Sequence, residues 1–313
     1  MQREPLDYDA FLAHRTVSRL RTENGAVIEK VTAGRDLASP YLSDNAEREH
    51  AAYTSGLLAD LGPIRAPRLI EARRDPDGSV TLLLEEVAHE GGRPLGADAL
   101  VAAAHDLGGM AARFLDDVPD LPWLFSGWID RHSQPGAWAE GIEVLARTGS
   151  PALRLIGAQG DVREILEGLP ITLCHHDAVG ANVLRSAGRT VLIDWESVGP
   201  GPVGADLASL LEASARRGDA SAHVVRRILP DTVEAYAAGL GGRVSTLDVQ
   251  TGLDAAICLR WKLARDVAVT VETGEPARRG SAPQESPETA LDELRTATVI
   301  LLEAAERLLG PVR

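Results

Sequence analysis

Lysine is almost missing from this 313-residue chain, which holds only Lys30 and Lys262. Any task in the first third of the chain that needs an ammonium therefore falls to Lys30. Cysteine is equally scarce. Cys174 and Cys258 provide no disulfide framework, as suits a reducing cytosol, and Cys174 reads as a small buried hydrophobe. No apolar run reaches the ~18 residues that mark a membrane-spanning helix. The opening MQREPLDYDAF is charged and has no apolar signal segment, so a cytoplasmic protein without membrane attachment is expected. A basic stripe is absent too. The net charge is −14, which argues against nucleic acid as a partner. Residues 1–87 hold eleven Lys/Arg and fifteen Asp/Glu, a net of −4, which leaves −10 for the remainder. Acid over that larger part would welcome a cationic small molecule, and it serves solubility equally well.

What is present is enough apolar residue, 44%, for a sizeable core, and a length that suits two lobes. The informative stretch is ITLCHHDAVGANVLRSAGRTVLIDWE, Ile171 to Glu196. Asn182–Arg185 and Thr190–Ile193 read as short strands joined at Ala187-Gly188, a glycine-containing hairpin turn. A loop carrying His175, Asp177 and Asn182 leads into that hairpin, and its far strand delivers Asp194 to the same place. Asp177 is suited to accept or orient a hydroxyl proton. Asn182 and Asp194 offer hard oxygens of the kind Mg²⁺ takes while keeping waters and phosphate oxygens. His175 is expected to brace the loop. Glu196 could join the metal or be an ordinary hydrogen-bonded Glu, and Asp or Asn in loops also serves turns and caps.

HHDAVGAN resembles the H-x-D-x-x-x-x-N loop of the aminoglycoside phosphotransferase and choline kinase family, relatives of the protein kinases. IDWE stands where those enzymes carry Asp-Phe-Gly, and GPGPVGADLASLL is similar to their Gly/Pro loop running into a helix. The resemblance is continuous over Ile171–Leu211. It implies an α+β, two-lobed protein-kinase-like fold: a small β-rich lobe over residues 1–87 ending in a hinge, and a larger, mainly helical lobe over 88–313. It implies Asp177 as catalytic base, Asn182 and Asp194 as Mg²⁺ ligands, and Asp206 as a brace for the catalytic loop. The donor would be ATP or GTP. The acceptor would be a hydroxyl of an antibiotic-like compound (aminoglycoside, nucleoside or other sugar-bearing molecule), with a resistance role, or of a primary metabolite such as choline, homoserine or a sugar. A nucleotide-binding pseudokinase is the alternative of a different class. Monomer and homodimer are both open.

In the first lobe, Thr16–Arg21 and Ala26–Val31 read as a hairpin about Asn24-Gly25. Lys30, in VIEKV, resembles the kinase strand lysine that reaches nucleotide phosphates. A helix over Asp44–Asp60, with Ser43 as N-cap and Gly62-Pro63 as its stop, follows. Glu49 resembles the helix glutamate that aims this lysine, with Glu47 its competitor. Strands are expected at Arg68–Glu71 and Ser79–Glu85. TLLLEEV resembles the hinge, where backbone groups around Glu85–Val87 would meet the purine edge. The chain departs from the family in one respect. No glycine precedes Gly25, so the phosphate-covering loop must fall near His14–Ser18 and use His, Arg, Thr or Ser donors.

The second lobe reads as helices at Ala97–Leu115, broken mildly at Gly108-Gly109, at Leu247–Val271, and at about Pro287 to Leu309 with Ser286 as N-cap. Trp123, Trp128 and Trp138 could line an acceptor pocket or anchor helices. Lys262 and Asp266, four apart, can pair on a helix surface. Thr273–Pro287, rich in Pro, Gly and Ser, reads as a mobile loop.

Overall fold

The computed structural model describes residues 2–6, 15–23, 25–33, 45–133, 139–260, 267, 270, 276–280, 282 and 284–310. The expectations for Asn24, His14, Ser43, Trp138, Lys262 and Asp266 lie outside these residues.

The first lobe is an antiparallel sheet of β1 (Gln2–Pro5), β2 (Arg15–Thr22), β3 (Gly25–Thr32), β4 (Leu69–Arg74) and β5 (Val80–Glu85), in the order β1-β2-β3-β5-β4. β1 was not legible in the sequence; QREP has no apolar alternation, and all four of its residues are exposed. Lys30 sits mid-strand, opposite Val17 on one side and Leu82 on the other. Helix α1 spans Asn45–Thr54, shorter than the expected Asp44–Asp60. Gly56 ends it by taking φ 87°, and a single 3₁₀ turn, Leu57–Ala59, follows. That left-handed conformation costs glycine nothing and other residues more. β4 begins one residue later than expected and runs on to Arg74 through a register shift between Leu69 and Glu71.

The second lobe contains α2 (Ala97–Phe114), α3 (Trp128–Ser133), α4 (Ala139–Arg147), α5 (Leu153–Gly157), α6 (Gln159–Glu167), α7 (Ala205–Ala208), α8 (Ser214–Arg217), α9 (Ala222–Gly239), α10 (Thr246–Leu259) and α11 (Pro287–Leu309). A π-helical segment, Ser209–Ala213, joins α7 to α8. Gly108 and Gly109 do not break α2; they let it cross its neighbours closely. A Cβ on Gly108 would lie 2.1 Å from the Tyr236 carbonyl oxygen of α9, and one on Gly109 would lie 2.5 Å from the Pro63 ring. α10 stops at Leu259, capped by Ser245 at its start, so the helix expected to run to Val271 is interrupted at Arg260; Val267 and Thr270 are helical again. α11 matches its sequence signals, with Ser286 Oγ accepting from Thr289 N at 3.1 Å. The loop before it is not loose throughout. Arg279, only 6% exposed, donates to Ala215 O at 2.6 Å and to Glu285 at 2.8 Å. Among the described residues no helix is long and apolar enough to cross a membrane.

The lobes are tied through β7 (Val183–Ser186) and β8 (Arg189–Leu192), whose turn uses positive φ at both Ala187 and Gly188. Arg65 of the first lobe bridges to this hairpin, donating to Thr190 O at 3.2 Å and accepting from Leu192 N at 3.0 Å. A second two-stranded ladder pairs β6 (Ile171–Cys174) with β9 (Gly199–Pro202). The Gly/Pro stretch is thus a strand. Its glycines are required, because a Cβ on Gly199 would meet Phe125 O at 2.1 Å and one on Gly201 the His176 ring at 2.5 Å.

Candidate active site

Three carboxylates and two cations are packed between the sheet and the hairpin. Lys30 Nζ donates to Glu49 Oε1 and to Asp194 Oδ1, both at 2.7 Å. Arg15 pairs with Glu196 and reaches Asp194 at 3.3 Å. Oxygens of Glu49, Asp194 and Glu196 all lie within 4.8 Å of one another. Burying so many charges is costly and is poor evidence for a stabilising role; such clusters mark functional sites more often. Burial pushes the Glu49 carboxyl above its ordinary range, with Lys30 pulling it back. Glu47 is not the partner of Lys30. It lies on the exposed side of α1 and pairs with Arg74 at 2.6 Å. The five charged side chains sum to −1, and a divalent cation would reverse that sign toward phosphate.

Beside the cluster is a cavity of about 220 Å³. Val17, Ile28 and Leu84 of the sheet and Leu184 and Ile193 of the hairpin segment give it apolar walls, while Lys30, Glu49 and Asp194 close one end. Glu85, Glu86 and Val87 form its edge. Glu85 N–H is already engaged by Arg68 O at 3.0 Å, and the Glu85 side chain pairs with Arg65.

The loop between β6 and β7 is held from several sides. Asp206, 2% exposed, accepts from the backbone N–H groups of His175 and His176, each at 2.8 Å. These bonds stabilise His176 at φ 62°, a conformation a non-glycine residue rarely adopts. Ser214 Oγ accepts from Gly180 N at 2.8 Å. Arg93 donates to the carbonyl oxygens of Gly180, Ala181 and Val183. His175 is buried, with Nε2 3.1 Å from Ile193 O and Nδ1 accepting from Asp177 N at 3.3 Å. Burial lowers its pKa to about 4, so it is a neutral brace with the proton on Nε2. It packs edge-on to Trp195, whose Nε1 donates to Leu192 O at 2.8 Å.

Asn182 lies in a 3₁₀ turn just before β7, one residue short of the strand expected to contain it. Its Nδ2 donates to Asp177 Oδ2 and to Asp177 O, both at 2.9 Å. Its Oδ1 is buried and has no hydrogen-bond partner, an orphan that such sites rarely tolerate. Asp177 is 38% exposed on its side chain. Burial and then the Asp194 charge raise it to about 6, opposed by Arg217, Arg260 and Arg131. Asp194 itself takes φ 67° at the end of the hairpin.

The structure thus gathers Lys30, Glu49 and Asp194 in one cluster, and Asp177, Asn182, His175 and Asp206 in the adjoining loop. Glu85 and Val87 stand at the cavity edge. The residue types would suit Mg²⁺: Asn182 Oδ1 and the Asp194 carboxylate are hard oxygens, and the former lacks any other partner. Several contributors were not legible beforehand. Arg15 was placed only within a run of possible donors. Arg48 of α1 donates to Glu196 O at 2.9 Å and lies over the Phe125 ring at 5.1 Å. Arg93 and Arg217 carry no local signature either, because their roles exist only once distant segments meet.

Solved structures share this architecture. A choline/ethanolamine kinase family protein from Mesorhizobium loti aligns with 99% of this chain and 92% of its own, at 16% identity and a TM-score of 0.56. An amicoumacin kinase solved in complex with AMP-PNP, Ca²⁺ and Ami aligns over 96% of this chain and 88% of its own, at 12% identity and TM-score 0.56. An aminoglycoside-3′-phosphotransferase of type VIII aligns over 83% and 93%, at 21% identity and TM-score 0.52. The fold is the protein-kinase-like one that the loop motif implied. No curated protein matches the sequence. The family model described as "Phosphotransferase enzyme family" matches residues 13–246, most of the chain and all of the clusters above, and the chain belongs to that family.

Proposed function

We propose that this phosphotransferase moves the γ-phosphate of a purine nucleotide, ATP or GTP, to a hydroxyl of a small molecule. The observation that carries the reading is the Asn182 side chain. Its amide nitrogen fixes the Asp177 carboxylate, while its buried oxygen is left over beside a cluster of carboxylates. The largely apolar cavity suits a purine, with Glu85, Glu86 and Val87 at its edge; Glu85 N–H is spent on Arg68 O. Lys30, aimed by Glu49, would meet the phosphates, and Arg15, which opens β2 and is not in the loop expected near His14–Ser18, would add a second cation beside them. Asn182 and Asp194 would hold Mg²⁺, which when bound neutralises charge on the phosphate oxygens.

The Asp177 side chain is partly exposed, open to an acceptor. There it would accept the acceptor's hydroxyl proton as the oxygen attacks phosphorus. With its pKa raised to about 6, it remains ionised at neutral pH and is a better base than an ordinary Asp. His175 and Asp206 keep it in place and touch no substrate. The acceptor class follows by analogy to what the similar structures bind: an antibiotic-like, sugar-bearing compound, or a primary metabolite.

The test is transfer of labelled γ-phosphate from ATP and GTP across aminoglycosides, nucleoside antibiotics, macrolides, choline, homoserine and simple sugars, with Asp177→Ala as control. A product lost by at least ~10²-fold in the variant supports the reading. Equal turnover by the variant refutes the assignment of Asp177.

A further inference from the structure

Four arginines gather around Asp177, interleaved with the carboxylates of Asp206, Glu212 and Asp219. α3 supplies Arg131, α8 supplies Arg216 and Arg217, and Arg260 follows the end of α10. Two of these four are matched by carboxylates. Arg216 Nε lies 3.5 Å from Glu212. Arg217 lies 3.5 Å from Asp219 and 4.0 Å from Asp177.

The other two make no ion pair within 4 Å, although buried Glu212, Asp177 and Asp206 act on Arg260 at longer range. Arg260 donates to Ser209 Oγ at 2.8 Å and to His176 O at 3.4 Å, both neutral, and its Nε is buried without a hydrogen-bond partner. Its guanidinium is fixed over Trp128 at 5.4 Å from the ring centroid, and Trp128 in turn stacks on His176 at 5.2 Å. Trp128 thus acts less as a pocket wall than as the platform that aims Arg260. Arg131, half-buried one turn along α3, has no carboxylate partner within 4 Å among the described residues, and the Asp177 charge opposes the lowering of its pKa by burial. Burial lowers both guanidiniums from their ordinary values, yet arginine stays charged in proteins. Neighbouring His132 is pushed well below its usual pKa by burial and by Arg260 and Arg131, so it is neutral and can accept a hydrogen bond.

Arg131, with no carboxylate closer than Asp177, and Arg260, whose guanidinium is hydrogen-bonded to neutral oxygens alone, are expensive to hold half-buried, and an anion completes them at short range through charge-assisted, bidentate bonds. We infer that the acceptor carries an anionic group, a carboxylate or a phosphate, close to the hydroxyl that is phosphorylated, and that Arg131 and Arg260 hold that group. This inference rests on the transfer reading above and reverses the expectation drawn from net charge. A polycationic acceptor would meet Arg131 and Arg260 where it needs acids.

The test is titration of the full-length protein, with ADP and Mg²⁺ present to fill the donor site, followed through arginine Nε–H NMR signals. The probes are choline, glycerol, D-glycerate and glycerol 3-phosphate, which vary the charge on small hydroxyl compounds. At least one of the two acids is expected to bind at least ~10-fold more tightly than glycerol and choline, the scale of one charge-assisted hydrogen bond. Whichever acid leads names carboxylate or phosphate as the source. Arg131→Gln, shown to be folded by circular dichroism, is expected to lose that preference, and Arg131→Lys to keep part of it. Equal binding of glycerol or choline overturns the inference, as does an unchanged preference in Arg131→Gln or the failure of both acids to bind. Acid binding that depends on Arg131, with no transfer that depends on Asp177, would refute the proposed function and leave this site standing; transfer to a cationic acceptor would do the reverse.

Discussion

Removing the Asp206 carboxylate separates catalysis from stability in a way that pH exposes. Asp206→Ala leaves two buried N–H groups, those of His175 and His176, without the acceptors they now have at 2.8 Å. At about 2 kcal/mol for each orphaned donor, the loss is about 4 kcal/mol. Against this, burial holds the Asp206 carboxyl up at about 6, from an ordinary 3.8. At about 1.4 kcal/mol for each tenfold change, its ionisation in the folded protein costs about 3 kcal/mol. The folded pKa is raised, so the stability linked to this carboxyl is fully present below about pH 4 and is lost as pH rises through 6. The wild type should therefore exceed Asp206→Ala by about 4 kcal/mol near pH 4 and by only about 1 kcal/mol near pH 7. Urea unfolding at a series of pH values reads this difference directly, and other titrating groups cancel between the two proteins. Turnover at pH 7 should still fall at least ~10-fold, because the left-handed His176 and the Asp177 that follows it lose their anchor. A stability gap that is constant, or larger at pH 7 than at pH 4, refutes the reasoning.

Glu49→Gln should lower turnover about 10-fold without unfolding the protein, because Lys30 loses the charge that aims it; Glu47→Gln, on the exposed side of the same helix, should be silent. Steady-state kinetics of the pair checks this, and equal effects contradict the assignment of Glu49. Turnover should decline as pH falls through about 6, where Asp177 takes up a proton and can no longer accept one. Arg217→Gln should move that midpoint upward, since Arg217 opposes the rise in the Asp177 pKa; a downward movement would show that the limb belongs to another group.

The placement of the second lobe's loop residues was legible because they lie in one short stretch of sequence. Asp177, Asn182 and Asp194 sit close in sequence, and one hairpin brings them together. Lys30 and Glu49 were legible by resemblance, and geometry chose Glu49 over Glu47, a matter of which side of α1 faces the sheet. The arginines were not legible. Arg15, Arg48, Arg93, Arg217 and Arg260 act on backbone carbonyls or carboxylates up to 179 residues away, and no local pattern encodes such pairings. Net charge is silent for a related reason: a total of −14 says nothing about the few side chains within reach of one carboxylate. The helix boundaries missed at Gly56 and Arg260 were set by a left-handed glycine and by an arginine drawn to Ser209, tertiary demands that periodicity does not contain.

In the proposed reaction two carboxylates divide the labour, Asp177 serving the acceptor and Asp194 serving the metal and nucleotide. Calorimetric titration of ATP with Mg²⁺ into the wild type, Asp177→Asn and Asp194→Asn tests it directly. Asp177→Asn should bind nucleotide as the wild type does, and Asp194→Asn at least ~10-fold more weakly, the loss of one charged ligand. Unchanged affinity in Asp194→Asn, or weakening confined to Asp177→Asn, would contradict it.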